Sequence, residues 1–272
     1  MRKFKRHHYK VKRKKSIFKN RLFWESFLLF LEISFIFYFL IFSQTFQIEK
    51  VYVFGNEEIR TQNLQNFLQE KIEKISPSIS IANIFLVNSK KLQEEILKKF
   101  PEIDIVEIKK KFPNILDIKI KERKAVAIFC PGGPGTVPQC GFLDKKGIIF
   151  ENPSTKAWRG INEDLPLVKS LESEEKINFG EVAIEREILE KILRIAEYLK
   201  TKLNIEPEEY VLAAEFRLNV KTSQDWEIFF DLNNDIDLQI LKLKLLLEKE
   251  ILSENRKILE YIDLRFTRVY YK

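Results

Sequence analysis

The sequence predicts an α+β protein hung from a single N-terminal transmembrane helix: a βααββ domain comes first, then a mixed α/β domain ending in an edge strand. Three observations carry that prediction. A basic tail runs directly into a long apolar segment. Residues 46–123 then show strand, helix, helix, strand and strand periodicities in that order. Residues 124–272 give a second series of strand and helix patterns and close on two strand-like stretches.

The tail comes first. Residues 1–21 hold eleven Lys and Arg and no acid, leaving 36 bases against 40 acids in the other 251 residues. The formal charge of +7 therefore belongs to the tail, and the body carries no cationic bias toward nucleic acid. Such a tail fits a topology determinant that brushes lipid headgroups. Residues 22–42 are apolar except for Glu25, Ser26, Glu32 and Ser34. At about 1.5 Å per residue a helix over 22–43 covers roughly one hydrocarbon core. Only Lys50 and Arg60 are basic in the twenty residues after that run, so the positive-inside rule puts the N-terminus in the cytoplasm and the rest outside. The exit Phe42-Ser43-Gln44-Thr45-Phe46 offers no small-residue cleavage site, which favours a retained anchor over a removed signal.

Glu32 falls near the middle of the span, where an acid costs roughly 2.5–3.5 kcal/mol on the insertion scale. Glu25 lies seven residues earlier and shares its helical face with Leu28, Leu29 and Phe35. That face is a candidate contact for a partner's membrane helix. The bland alternative is a tolerated acid in a shifted helix.

Beyond the span, residues 46–54 alternate as a strand and stop at Gly55-Asn56, with Asn56 expected to cap a helix whose first turn holds Glu57 and Glu58. Leu64, Phe67, Leu68, Ile72 and Ile75 continue that helix, and a loop around Pro77 follows. A second helix over Ser89–Lys99 stops at Pro101. Strands Ile103–Lys110 and Ile115–Glu122 flank a turn at Phe112-Pro113-Asn114. In the second domain, strands are expected at Ala125–Cys130, Gly141–Leu143, Ile148–Phe150, Tyr210–Val220, Trp226–Leu232, Ile258–Leu264 and Arg268–Tyr271. Helices are expected at Glu185–Leu203 and, well buried, at Ile236–Leu252.

Catalysis has little to start from. Both histidines, His7 and His8, sit in the tail, so the outside portion lacks the commonest general base and zinc ligand. No nucleophile elbow, P-loop or dinucleotide fingerprint is present, and no cofactor or metal is predicted. Asp144 and Gly147 read as turn residues rather than as catalytic groups. The competing class is a membrane-tethered cell-wall enzyme that works through carboxylates.

Cys130 and Cys140 are the only cysteines, and they flank a Pro/Gly loop, Pro131–Gln139, on the side predicted to be oxidising. A disulfide closing that loop is expected, worth on the order of 2–3 kcal/mol by the chain-entropy estimate. Two free thiols are the alternative. The terminal segment 258–271 carries two strand candidates, and Thr267-Arg268-Val269-Tyr270-Tyr271 alternates polar and bulky residues without proline. An exposed edge of that kind suits addition of a partner's strand.

Taken in order, the pieces resemble the FtsQ/DivIB family of bacterial cell-division proteins. The resemblance rests on Ile48-Glu-Lys-Val-Tyr-Val-Phe-Gly-Asn56 behind the anchor, Phe100-Pro101, Phe112-Pro-Asn-Ile-Leu-Asp-Ile118 and Glu122-Arg123 ahead of Ala125-Val-Ala127. It continues through Phe142-Leu-Asp144, Gly147-Ile-Ile-Phe150, Leu165-Pro166 and Tyr261-Ile-Asp-Leu-Arg-Phe266. It implies a POTRA domain at 46–123, a β domain at 124–272, and a non-enzymatic scaffold at the division septum joined to FtsB-like and FtsL-like single-pass proteins. It also implies that the closing segment binds the FtsB-like partner. Arg265 and Phe266 carry that role directly, as charge partner and apolar anchor, and Thr267, Val269 and Tyr270 by position.

Overall fold

The computed structural model describes residues 21–73, 82–132, 139–153, 165–171, 177–214, 216–251 and 253–272. Residues 1–20 of the basic tail, the expected loop around Pro77 and residues 133–138 of the Pro/Gly loop lie outside the described residues. The architecture is α+β, with an N-terminal apolar helix, a βααββ series and a sheet-rich C-terminal region.

Two compact units share the chain. The first takes residues 1–52, 65–88 and 109–117, and the second takes residues 53–64, 89–108 and 118–272. In the first lies helix α1, Arg21–Phe42, long and apolar enough to cross a membrane and with none of its residues buried. A short 3-10 turn, Gln44–Phe46, follows it.

The βααββ series is strand β1 (Lys50–Phe54), helices α2 (Thr61–Glu73) and α3 (Ser89–Lys99), and strands β2 (Ile103–Lys111) and β3 (Ile115–Glu122), with sheet order β1-β3-β2. Helix α2 starts at Thr61 rather than just after Asn56. The backbone N–H groups of Glu57, Glu58 and Ile59 all donate to the Glu122 carboxylate at 2.8–3.1 Å. A remote side chain therefore satisfies the donors that a helix start would otherwise leave free, and the segment stays a loop. Asn56 spans this loop by donating to the Ile59 carbonyl and to Thr61 Oγ1. Before it, Gly55 has φ +83° and lies so close to Ile120 that a Cβ would meet its carbonyl oxygen at 2.3 Å, which reserves the position for glycine.

Among the described residues, the second unit holds a nine-stranded sheet. Its members are β4 (Ala127–Pro131), β5 (Gly141–Leu143), β6 (Ile149–Glu151), β7 (Leu167–Ser170), β8 (Pro207–Ala214), β9 (Arg217–Thr222), β10 (Glu227–Asp231), β11 (Tyr261–Asp263) and β12 (Tyr270–Tyr271). Their spatial order is β12-β11-β10-β9-β8-β7-β4-β5-β6, with parallel pairs β4/β7, β7/β8 and β10/β11. Helices α4 (Arg186–Lys202) and α5 (Ile236–Lys249) supply Leu189, Ile192, Ile195, Leu199, Ile240, Leu243 and Leu247 to the main core. Strand β4 is buried on both faces: Ala127 and Phe129 enter that core, while Ile128 and Cys130 join Phe142 and Phe150 in a smaller cluster.

Four differences from the sequence expectations have physical causes. The single strand expected over Tyr210–Val220 is a hairpin, with Tyr210 opposite Val220 and Ala214 opposite Arg217; no Gly, Pro or Asn marks its reversal. Strand β7 is four residues long, too short for its alternation to register. Residues Ser253–Ile258 form a 3-10 helix that takes the start of the expected strand Ile258–Leu264, and the terminal strands are the shorter β11 and β12. Helix α5 is not buried all round, because Leu238, Leu241 and Leu245 form an exposed apolar stripe at helical spacing.

Candidate functional site: the C-terminal sheet edge

The site is built on β10. Ile228 pairs with Ile262 in the parallel β10/β11 ladder, and both side chains are buried in the main core. Their neighbours Phe229 and Asp263 therefore point to the opposite face. Strand β12 then pairs antiparallel with β11, Asp263 facing Tyr270 and Ile262 facing Tyr271, and it ends the sheet order. Lys272 closes the ladder by donating its N–H to Tyr261 O and accepting from Glu260 N at 2.6 Å.

Charge on this face is matched internally. Arg265 donates from Nε to Asp263 Oδ1 at 2.8 Å and from Nη2 to Oδ2 at 2.5 Å, a bidentate pair, and its backbone N–H adds a third bond to Oδ1. Burial pushes the Asp263 carboxyl up, but its bonds to Arg265 and the charges of Arg265 and Arg217 outweigh that and hold it below its ordinary value. The bond to Asp263 in turn raises Arg265. The Arg265 guanidinium lies 5.5 Å from the Phe229 and Phe266 rings, and Arg217 lies 5.1 Å from Phe229, whose ring stacks on Tyr261.

The sequence-predicted residues divide. Phe266 is 54% exposed, packs edge-to-face on the exposed Tyr270, and gives its carbonyl to Lys242 Nζ at 3.0 Å. Arg265, Phe266 and Tyr270 are thus brought together. Thr267 is exposed in the bend between β11 and β12, whereas Val269 is half-buried and packs against the main core. The sequence analysis did not name Asp263 and Phe229, which contact Arg265, or Arg217, which lies over Phe229; the i, i+2 spacing of Asp263 and Arg265 was the available signal for the first of these. Glu25 and Glu32 lie on the exposed surface of α1, where Glu25 accepts from Arg21 Nε at 2.9 Å. Cys130 and Cys140 are joined, with Cα atoms 4.2 Å apart.

Residues 46–123 match the family model described as the POTRA domain, FtsQ-type. The match gives the chain an FtsQ-type POTRA domain over those residues. No curated protein matches the chain. The FtsQ-type domain supports a role in cell division, and together with the one helix of membrane-spanning length among the described residues it suggests a single-pass membrane protein.

The last residues of the FtsQ-type domain carry much of its local order. Glu122 gathers three backbone N–H groups, as described above. Arg123, its side chain 9% exposed, donates to the Pro101 carbonyl at 2.9 Å, to Asp104 at 3.4 Å and to Asp144. Asp144 also accepts the N–H groups of Lys146 and Ile148, so this acid is a turn and latch residue. Gly147 completes that turn at φ +77°, with a Cβ excluded by the Ile184 carbonyl at 1.9 Å.

Proposed function

We propose that this protein is a non-enzymatic scaffold of the bacterial division machinery, held in the cell membrane by α1 with its N-terminus cytoplasmic and its folded portion outside, at the division septum. It joins FtsB-like and FtsL-like single-pass partners and binds no nucleic acid. The observation that carries the reading is the C-terminal edge: β12 ends the nine-strand order with Tyr270 and Tyr271 exposed beside Phe266. A partner strand added to β12 extends the ladder by main-chain bonds, and Phe266 and Tyr270 supply the aromatic anchor. Arg265, already bonded to Asp263, serves this surface as a rigid support under Phe266 and as a partial charge for a partner carboxylate. On α1, the Glu25 and Glu32 face meets a partner's membrane helix.

Full-length variants co-purified with tagged partners from membranes test these contacts. Phe266→Ala is expected to lose partner recovery while its melting temperature in detergent stays within a degree or two of wild type. Val269→Glu is expected to lose both, because Val269 also packs on the core. Glu32→Leu is expected to reduce recovery with melting unchanged. Unchanged recovery with Phe266→Ala disproves the edge contact, and unchanged recovery with Glu32→Leu disproves the membrane contact.

A further inference from the structure

At the exit of α1, a single buried side chain fixes where the first folded segment stands. Asn83, fully buried, donates from Nδ2 to the Leu40 and Ile41 carbonyls at 2.8 and 2.9 Å, two of the acceptors that a helix C-terminus leaves without intrahelical partners. Its Oδ1 accepts the Phe85 N–H at 2.8 Å. Backbone bonds from Ile84 N to Phe46 O and from Ile48 N to Ala82 O pin the same turn to the chain leaving the helix. Segment 82–86 is thereby tied to the last turn of α1 by two hydrogen bonds and to Phe46 and Ile48 just beyond it by two more.

What this turn displays is apolar. Phe85 is 43% exposed and Leu86 42%, and Phe112, in the turn between β2 and β3, is 59% exposed. The rings are continuous with the helix: Phe39 lies 6.3 Å from Phe46, Phe46 5.2 Å from Phe85, and Phe85 5.2 Å from Phe112. Exposed apolar groups of this size on a folded domain mark a surface that something covers.

We infer that Phe85, Leu86 and Phe112 form a collar that sits in the interfacial layer of the outer leaflet, covered by lipid. The inference rests on the membrane-spanning reading of α1. A helix of 22 residues spans about one hydrocarbon core, which puts Phe42 at the outer boundary. The headgroup layer beyond it is about 5–7 Å deep on each side, and Phe85 stands two ring contacts from Phe39. The collar continues the exposed surface of Phe39 and Phe42, which the same bilayer surrounds. Exposed Lys109 precedes Phe112, and a long basic side chain of this kind reaches headgroups while its stem lies on apolar surface; Lys111 is instead paired with Asp117.

The test places one nitroxide at a time on full-length protein in phosphatidylethanolamine/phosphatidylglycerol nanodiscs, in a Cys130→Ala/Cys140→Ala background. Labels go on Phe85→Cys, Leu86→Cys and Phe112→Cys, with Phe35→Cys in the span and Val182→Cys as references. Each variant is first checked for a melting temperature unchanged from that of the Cys130→Ala/Cys140→Ala protein. Collar labels relaxed more by oxygen than by a water-soluble nickel chelate, at a shallower depth than Phe35, are the expected result. Collar labels that match Val182, with Phe35 still oxygen-relaxed, overturn the collar and leave the span standing. Nickel access at Phe35 as well overturns the span itself. Collar labels shielded from both reagents and broadened by spin–spin coupling show that a second copy covers the face, which also overturns the lipid assignment.

Discussion

Glu122 and Arg123 are adjacent, yet they do different work. Alternation along β3 sends Glu122 toward the 57–59 loop, while Arg123, just past the strand, turns back onto Pro101, Asp104 and Asp144. Both Arg123 and Asp144 are nearly buried, at 9% and 5% side-chain exposure, so removing one partner strands the other charge. Arg123→Ala is expected to cost about 3–5 kcal/mol, a fall in melting temperature of about 6–20 °C for a folded portion of this size. Glu122→Ala removes an acceptor of three N–H groups at a wetter site and is expected to cost about 1–3 kcal/mol. Thermal melts of full-length protein in detergent check both, and an Arg123→Ala melt within 2 °C of wild type would remove the latch from the account. The pair at the C-terminal edge answers to pH instead. The folded-state pKa of Asp263 is depressed below 3.8, so its contribution is fully present above that value and is lost as pH falls through the lower, folded one. Hydrogen exchange of the Arg265 amide, which donates to Asp263, is therefore expected to lose protection below pH 3.8 in wild type, and Asp263→Asn to lack that acid transition. An acid transition that persists in Asp263→Asn places it on another group.

Elements with long, clean periodicity were legible, and those fixed by partners distant in sequence were not. Helix α4 was readable from Ile188, Ile192, Ile195 and Leu199, and α3 from its stop at Pro101. The start of α2 was misplaced because Asn56-Glu57-Glu58 satisfies every local rule for a helix cap, and only Glu122, more than sixty residues on, outcompetes it. The β8/β9 hairpin was hidden for a related reason: its pairing, not a turn residue, makes the reversal. At the site, Phe266 and, by position only, Tyr270 were named from the resemblance, and both are exposed, whereas the Phe229 contact with Arg265 arises from the parallel pairing of β10 with β11, which no local pattern announces. The loop closed by Cys130 and Cys140 joins the end of β4 to the residue before β5. Protein isolated without reductant is expected to resist alkylation at both cysteines. Reduction is expected to lower stability by about 2–3 kcal/mol. Full alkylation of native protein would show the thiols free in the cell's own envelope.

At the scale of the molecule, the order of parts was the most readable property, because anchor, βααββ series and second sheet each leave a signal longer than a single element. The division into compact units was not readable, since the first unit gathers α1, the 82–88 turn and the 109–117 hairpin tip from separated stretches of chain. The proposed orientation rests on charge rather than on packing. Eleven Lys and Arg precede α1 with no acid among them, and only Lys50 and Arg60 follow in the next twenty residues. Retaining such a tail on the cytoplasmic side while the less basic flank crosses is the outcome with the smaller translocation cost. A phosphatase fused after Lys272 is therefore expected to be active outside the cytoplasm, and a fluorescent protein that matures only in the cytoplasm is expected to be dark at the same position. Replacing the eleven basic residues by Gln is expected to give a mixture of orientations, because the folded portion then supplies the only remaining bias. N-terminal sequencing of membrane-extracted protein is expected to return the tail. A chain beginning near Phe46 would show that α1 is removed, and an inactive phosphatase beside a bright fluorescent fusion would reverse the topology.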